Sequence, residues 1–140
     1  MEMRPLKPED MENVRRIAKD SFDKLWSEKD FGFFLEHPQG KNFACIIEAQ
    51  LVGYVLALFV QGDLDIIAIA VAPSARRKGV GRHLMNHLIS AVVPTRVYLE
   101  VESSNEAALA LYRNLGLKIY GVRKKYYAGI KDAILMKAQS

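Results

Sequence analysis

The sequence predicts an α/β fold of α+β layered type, a mixed sheet packed with about four helices. Three observations lead there. Apolar residues recur at helical spacing in some segments and as β-branched runs in others. The two kinds of segment alternate along the chain, with Gly, Pro and Asp between them. No repeat, low-complexity tract or linker interrupts the alternation, so residues 1–140 are expected to form a single domain.

Met3 to Leu6 reads as a short strand. Pro8, Glu9 and Asp10 form an acidic, Pro-led helix start, and Met11, Val14, Ile17, Ala18 and Phe22 then recur at helical spacing. Phe31, Phe34 and Leu35 predict a second short helix ending near Pro38 and Gly40. Phe43 to Glu48 and Leu51 to Gln61 read as a hairpin turning at Ala49 and Gln50. After a turn at Gly62 and Asp63, Leu64 to Val71 is an almost continuous apolar strand, as expected for a central position. Pro73 and Ser74 break it. Gly79 to Ala91 predicts a helix with Val80, Leu84, Leu88 and Ala91 on one face, and Val97 to Val101 a further strand. Ser103 and Glu106 are spaced as a capping box, opening a helix through Leu115 that Gly116 ends. Lys118 to Tyr127 and Ala133 to Lys137 close the chain as two strands.

Composition narrows the class of function. The chain has 140 residues, half of them apolar, and contains no apolar run of membrane-spanning length. Its charged, Pro-punctuated start and lone Cys45, set between Ala44 and Ile46, suggest a cytoplasmic protein with a buried, inert thiol. The net charge of +4 is local. Arg76, Arg77, Lys78 and Arg82 form one acid-free stretch; Lys118, Arg123, Lys124, Lys125 and Lys131 form another. Without those nine cations, 11 basic residues face 16 acidic ones. Such placement suits a compact polyanionic ligand better than a nucleic acid track.

The stretch from Val71 to Arg82 is the most informative. A buried strand ends, a short loop carries Arg76, Arg77 and Lys78, and Gly79, Val80 and Gly81 lead into a helix. Unpaired N–H groups and the positive end of the dipole stand at a helix start, glycines admit a phosphate to the backbone, and the cations add charge-assisted bonds. The string is not a Walker loop, and Leu84 stands where a dinucleotide fingerprint needs its third glycine. The remaining Arg-x-x-Gly-x-Gly resembles the pyrophosphate motif of the GNAT family of N-acetyltransferases.

The resemblance runs on through Leu99-Glu100-Val101, then Ser104 to Ala108, Leu111-Tyr112 and Leu115-Gly116. It is nearest to the branch that acetylates ribosomal-protein N-terminal alanine, which shares Trp26-Ser27-Glu28, the basic segment ending in Tyr126-Tyr127, and Asp132 to Met136. The resemblance implies a mostly antiparallel sheet of six to seven strands with helices on both faces. It implies acetyl-CoA as co-substrate, with no metal, and a protein or peptide N-terminus, in particular of a ribosomal protein, as acceptor. The enzyme is then expected to act as a monomer or homodimer, without membrane or nucleic acid partners.

Acetyl transfer from a thioester to an amine requires proton removal from the amine, a hold on the oxyanion and a proton for the leaving thiolate. Glu100, flanked by apolar neighbours, is the expected base in a desolvated setting, with Glu102 as second choice. The resemblance assigns the thiolate's proton to Tyr112, the oxyanion and pantetheine contacts to the main chain of Ile69 and Val71 beside a bulge, and a cofactor hydrogen bond to Asn105. It assigns diphosphate binding to Arg76, Arg77, Lys78, Gly79, Val80, Gly81 and Arg82, and the acceptor entrance to Trp26, Tyr126 and Tyr127. Asn105 also suits plain helix capping. His83 and His87 are spaced four apart, but no third zinc ligand is evident, so they read as solvated or packing side chains.

At pH 7 an α-amine of pKa ~7.8 is roughly 14% neutral, against about 0.04% for a lysine near ~10.4. A carboxylate base therefore favours an α-amine. A small amine such as a polyamine is the alternative acceptor, drawn by Asp23, Glu28, Asp30 and Glu36. A non-catalytic CoA- or nucleic-acid-binding module is the third reading.

Overall fold

The computed structural model describes residues 1–21, 26–127, 129 and 131–139, with the side chain of Tyr127 outside that set. Phe22 and Asp23, which the sequence reading used, also lie outside the described residues. The strands are β1 (Glu2–Pro5), β2 (Phe43–Ile47), β3 (Gln50–Val60), β4 (Asp63–Val71), β5 (Arg96–Glu102), β6 (Lys118–Tyr127) and β7 (Lys131–Gln139). The helices are α1 (Met11–Lys19), α2 (Glu28–Glu36), α3 (Val80–Val92) and α4 (Glu106–Asn114). The seven strands make one sheet in the order β1-β2-β3-β4-β5-β7-β6, antiparallel except between β4 and β5. Among the described residues no helix is long and apolar enough to cross a membrane.

Each face of the sheet carries its own core. Val14, Ile17 and Ala18 of α1 and Phe31 of α2 pack with Tyr54, Leu56, Ala68 and Ala70. On the other face Val80, Leu84 and Leu88 of α3 and Tyr112 of α4 pack with Val55, Ala57, Leu64, Ile66, Val97 and Leu99. Leu64 and Ile66 thus face α3, while Ala68 and Ala70, which share their parity, face α1. The cause is a bulge: Leu56 pairs with Ala68 and Ala57 with Ile66, so Ile67 has no partner on β3. The strand's continuous apolar sequence conceals this switch, because both faces are covered.

Local chemistry sets the helix ends. Ser27 caps α2, its side chain accepting from the Asp30 N–H at 3.1 Å. The capping box expected at Ser103 and Glu106 does not form. Asn105 is the cap of α4, its Oδ1 accepting from the Ala108 N–H at 3.2 Å, and Glu106 stands in the first turn beside the positive helix end. Gly116, at φ +95°, closes α4, with its N–H on Arg113 O and the Leu117 N–H on Tyr112 O, both at 3.0 Å.

The chain start is pinned by charge. Arg4 grips buried Asp10 with two bonds of 2.8 and 2.9 Å, and the Lys7 N–H donates to the same carboxylate at 2.8 Å. Burial pushes the Asp10 carboxyl up, but Arg4 and the Lys7 N–H outweigh it and hold the group below the usual carboxylate range. The stabilisation is therefore complete above the unfolded-state value of ~3.9 and is lost as pH falls through the lower folded value. Replacing Asp10 by Ala should cost about 2–3 kcal/mol at pH 7. In denaturant titrations the gap between wild type and variant should close below about pH 4.

Candidate active site

The parallel pairing of β4 with β5 is short. Asp63 faces Arg96, Leu64 faces Val97, Asp65 faces Tyr98, and there it stops. Beyond that point β4 turns along β3 while β5 continues beside β7, paired as far as Glu102 with Ala133. The two strands part, and their backbone edges face a gap instead of each other.

Alternation along β4 decides what points into the gap. The Ala72 N–H bonds to Val52 O on β3 at 2.7 Å, so the groups of Ile69 and Val71 point the other way. The Val71 carbonyl accepts from Arg76 Nε at 3.3 Å, on that same side. The main-chain N–H groups of Ile69 and Val71 accordingly stand on the open edge. The bulge lies upstream, at Ile67, between the last β4–β5 pair and these residues.

The gap opens into a cleft of about 580 Å³. It brings together Trp26, Ile69, Glu100, Glu102, Asn105, Tyr112 and Tyr126 from the sequence reading. Tyr112 is buried on the inner side of α4. Trp26 is also buried, edge-on to Phe34 with ring centroids 5.6 Å apart. Tyr126 is exposed at the rim, with the Arg123 guanidinium 5.3 Å from its ring centre. Tyr127 cannot be placed by its side chain, which lies outside the described residues. A second cavity, of about 430 Å³ between Pro8 and α2, is lined by Glu28 and Glu36 of the small-amine alternative and by none of the residues expected to hold acetyl-CoA or a peptide.

Glu100 is not desolvated as expected. Its side chain is 33% exposed on the cleft wall, and Oε1 lies 3.3 Å from Arg123 Nη1. Asp65, across the gap, is also an exposed residue and lines the cleft. Burial, and then the charge of Glu100, push the Asp65 carboxyl above its ordinary value. Asp65 is not among the site residues expected from the sequence. Its signal was the single acid inside the apolar run Leu64 to Val71.

The glycine-led helix start stands at the far end of β4. Gly79 is the N-cap of α3 at φ +80° and offers no side-chain cap. The first bond of the helix runs from the His83 N–H to Gly79 O at 3.0 Å, which leaves the N–H groups of Val80, Gly81 and Arg82 without an intrahelical partner. A Cβ on Gly81 would meet Leu111 Cδ2 of α4 at 3.1 Å, so a larger residue here would press on that side chain. Arg77, Lys78 and Arg82 are exposed. Donors, glycines and cations together fit a diphosphate. Arg76 is differently employed: its Nη2 donates to Asp20 O at 2.5 Å, which braces the loop against the end of α1. His83 Nδ1 lies 2.9 Å from Gly79 O, and His87 packs edge-on to Phe43.

Asp132 shapes the other rim. Between Arg123 and Tyr127 β6 has two more residues than β7, and Asp132 Oδ1 accepts the Lys125 N–H inside that bulge at 2.9 Å. That N–H holds the Asp132 carboxyl below the usual range, with help from Lys124.

The pattern of the Acetyltransferase (GNAT) family matches residues 11–117. An uncharacterized protein of Mycobacterium leprae is 32% identical over 146 residues, covering 96% of this chain, which spans 40% of that protein's length. The [Ribosomal protein bS18]-alanine N-acetyltransferase of Escherichia coli K12 is 36% identical over 120 residues, covering 79% of this chain and 78% of that enzyme. The crystal structure of the Escherichia coli ribosomal-protein-S18-alanine N-acetyltransferase superposes with a TM-score of 0.89 at 30% identity, covering 99% of this chain and 92% of that one. With a family match over most of its length, on a sheet parted beside a glycine-led helix, the chain belongs to the acetyltransferase (GNAT) family and is an acetyl-CoA-dependent N-acetyltransferase.

Proposed function

We propose that the chain transfers the acetyl group of acetyl-CoA to the α-amine of a protein N-terminus, in the cytoplasm. The observation that carries this reading is the meeting of Glu100, Tyr112 and the open edge of β4 in one cleft. The similar Escherichia coli enzyme, named for the N-terminal alanine of a ribosomal protein, supports a ribosomal protein as acceptor. The buried, unpaired thiol of Cys45 suits a reducing compartment.

Each group has a role that follows from its place. The N–H groups at the start of α3, with Arg77, Lys78 and Arg82, hold the diphosphate of the co-substrate. Acetyl-CoA supplies an activated acyl carbon on a thiol leaving group. The N–H groups of Ile69 and Val71 bond the carbonyl oxygen as negative charge develops on it. Glu100 takes a proton from the amine, directly or through one water, and Arg123 Nη1, 3.3 Å from Oε1, helps to position that carboxylate. The Tyr112 hydroxyl gives a proton to the departing sulfur. Asn105 spends Oδ1 on its helix and keeps its amide NH₂ for the co-substrate. Trp26 forms the floor of the acceptor side, and Tyr126 flanks its entrance.

Two measurements test this. Glu100→Gln and Tyr112→Phe should each lower kcat by about 10²-fold or more while leaving the dissociation constant for acetyl-CoA within about twofold. Arg77→Ala should weaken acetyl-CoA binding about tenfold, the loss of one charge-assisted bond. Turnover on peptides beginning Ala, Ser or Met, compared with lysine-blocked controls and polyamines, checks the acceptor. A fast polyamine rate beside silent peptides would replace the α-amine reading with the small-amine one.

A further inference from the structure

Helix α2 stands between two cavities. Phe34, with Trp26 just ahead of the helix, lines the cleft; Phe31, Gly32, Phe33 and Leu35 line the second cavity, against Pro8 and Met11. Gly32 lies inside the helix, where glycine is less stable than alanine. Its φ is outside the left-handed region, and a Cβ built on it would meet nothing within 4 Å. Neither the backbone nor the packing calls for glycine, and the missing side chain keeps the cavity open. Phe33 is 57% exposed beside it, edge-on to Phe34 with ring centroids 5.1 Å apart. An exposed aromatic ring at an open, largely apolar cavity has the composition of a docking patch.

Charge narrows the occupant. The chain carries +4 overall, yet α2 carries Glu28, Asp30 and Glu36 against Lys29 alone. Glu28 and Glu36 line the cavity, and among the described residues no ion pair reaches either. An acidic rim on a basic molecule selects a basic partner, and a two-fold pairing of this patch with itself would set acids against acids. We infer that the cavity is a second contact for the acceptor, taking a basic, Leu- or Phe-bearing stretch of its chain downstream of the N-terminus that enters the cleft. This rests on the α-amine reading above.

The spacing suits a continuous chain. A helix with its side chains is about 10 Å across, so the path around α2 from the cleft to the cavity is about 15 Å. An extended chain covers that in about five residues. Phe33 packs against the apolar side chain of the occupant, and Glu28 and Glu36 pair with its cations, while the chemistry stays in the cleft. Contacts so far from the reacting atoms are the same before and in the transition state, so they lower KM and leave kcat unchanged.

The test compares two Ala-initiated peptides, one of about 4 residues and one of about 16 that carries Lys and Leu beyond about its fifth residue. Gly32→Leu fills the cavity with a good helix former, and Phe33→Ala removes the exposed ring. Each variant should raise KM for the longer peptide about tenfold and leave its kcat within about twofold. Turnover of the short peptide and the dissociation constant for acetyl-CoA should not change. Exchanging Lys for Glu in the longer peptide should weaken it for wild type and make little difference to Gly32→Leu. That variant should melt at or above wild type. Equal effects on the two peptides, or none on the longer, would overturn the proposal. So would a wild-type dimer that Gly32→Leu dissociates, or a cavity whose filling changes only the rate with polyamines. If the wild type acetylates only small amines, the α-amine reading fails by itself. Binding of the longer peptide with its N-terminus blocked, read by fluorescence anisotropy on wild type and Gly32→Leu, then decides whether the cavity takes a basic chain.

Discussion

Three residue pairs hold β4 to β5, and the site exists because there are no more. A full parallel ladder would consume the N–H groups of Ile69 and Val71 and shut the cleft between Asp65 and Glu100. Unpaired backbone is costly when buried, so the parted edge persists only where a ligand or water can reach it. The bulge at Ile67 belongs to the same arrangement, since it shifts the pairing with β3 by one residue just past the point of parting. The rigid cores on both faces, Leu84 and Leu88 on one and Tyr54 and Leu56 on the other, hold the strands apart.

Much of this was legible in the residues. The helical spacing of Val80, Leu84 and Leu88, the strand Val97 to Val101 and the Gly116 stop all correspond to elements of the fold. The glycine-led start of α3 was legible because glycines, cations and a strand end coincide in one short string. The strand order, the bulge and the parting of β4 from β5 were not, because each depends on which strands become neighbours. The cap of α4 was misplaced because Ser103 and Asn105 are both good capping residues, and only the path of the chain after β5 selects between them.

Charge pairing was the least legible property. Glu100 has apolar neighbours in sequence, yet its side chain emerges on an open wall within reach of Arg123 from another strand. Asp65 has the same kind of neighbours, and among the described residues no cation pairs with it. Local sequence does not distinguish the two; the partners 23 residues away from Glu100 and across the gap from Asp65 do.

The brace made by Arg76 joins two regions that are 55 residues or more apart in sequence. Its guanidinium reaches from Val71 O, on the open edge of β4, to Asp20 O at the end of α1. The first contact lies just ahead of the glycine-led start of α3, and the second at the end of α1. One side chain thus ties together two stretches of backbone from distant parts of the sequence, and removing it would release both at once.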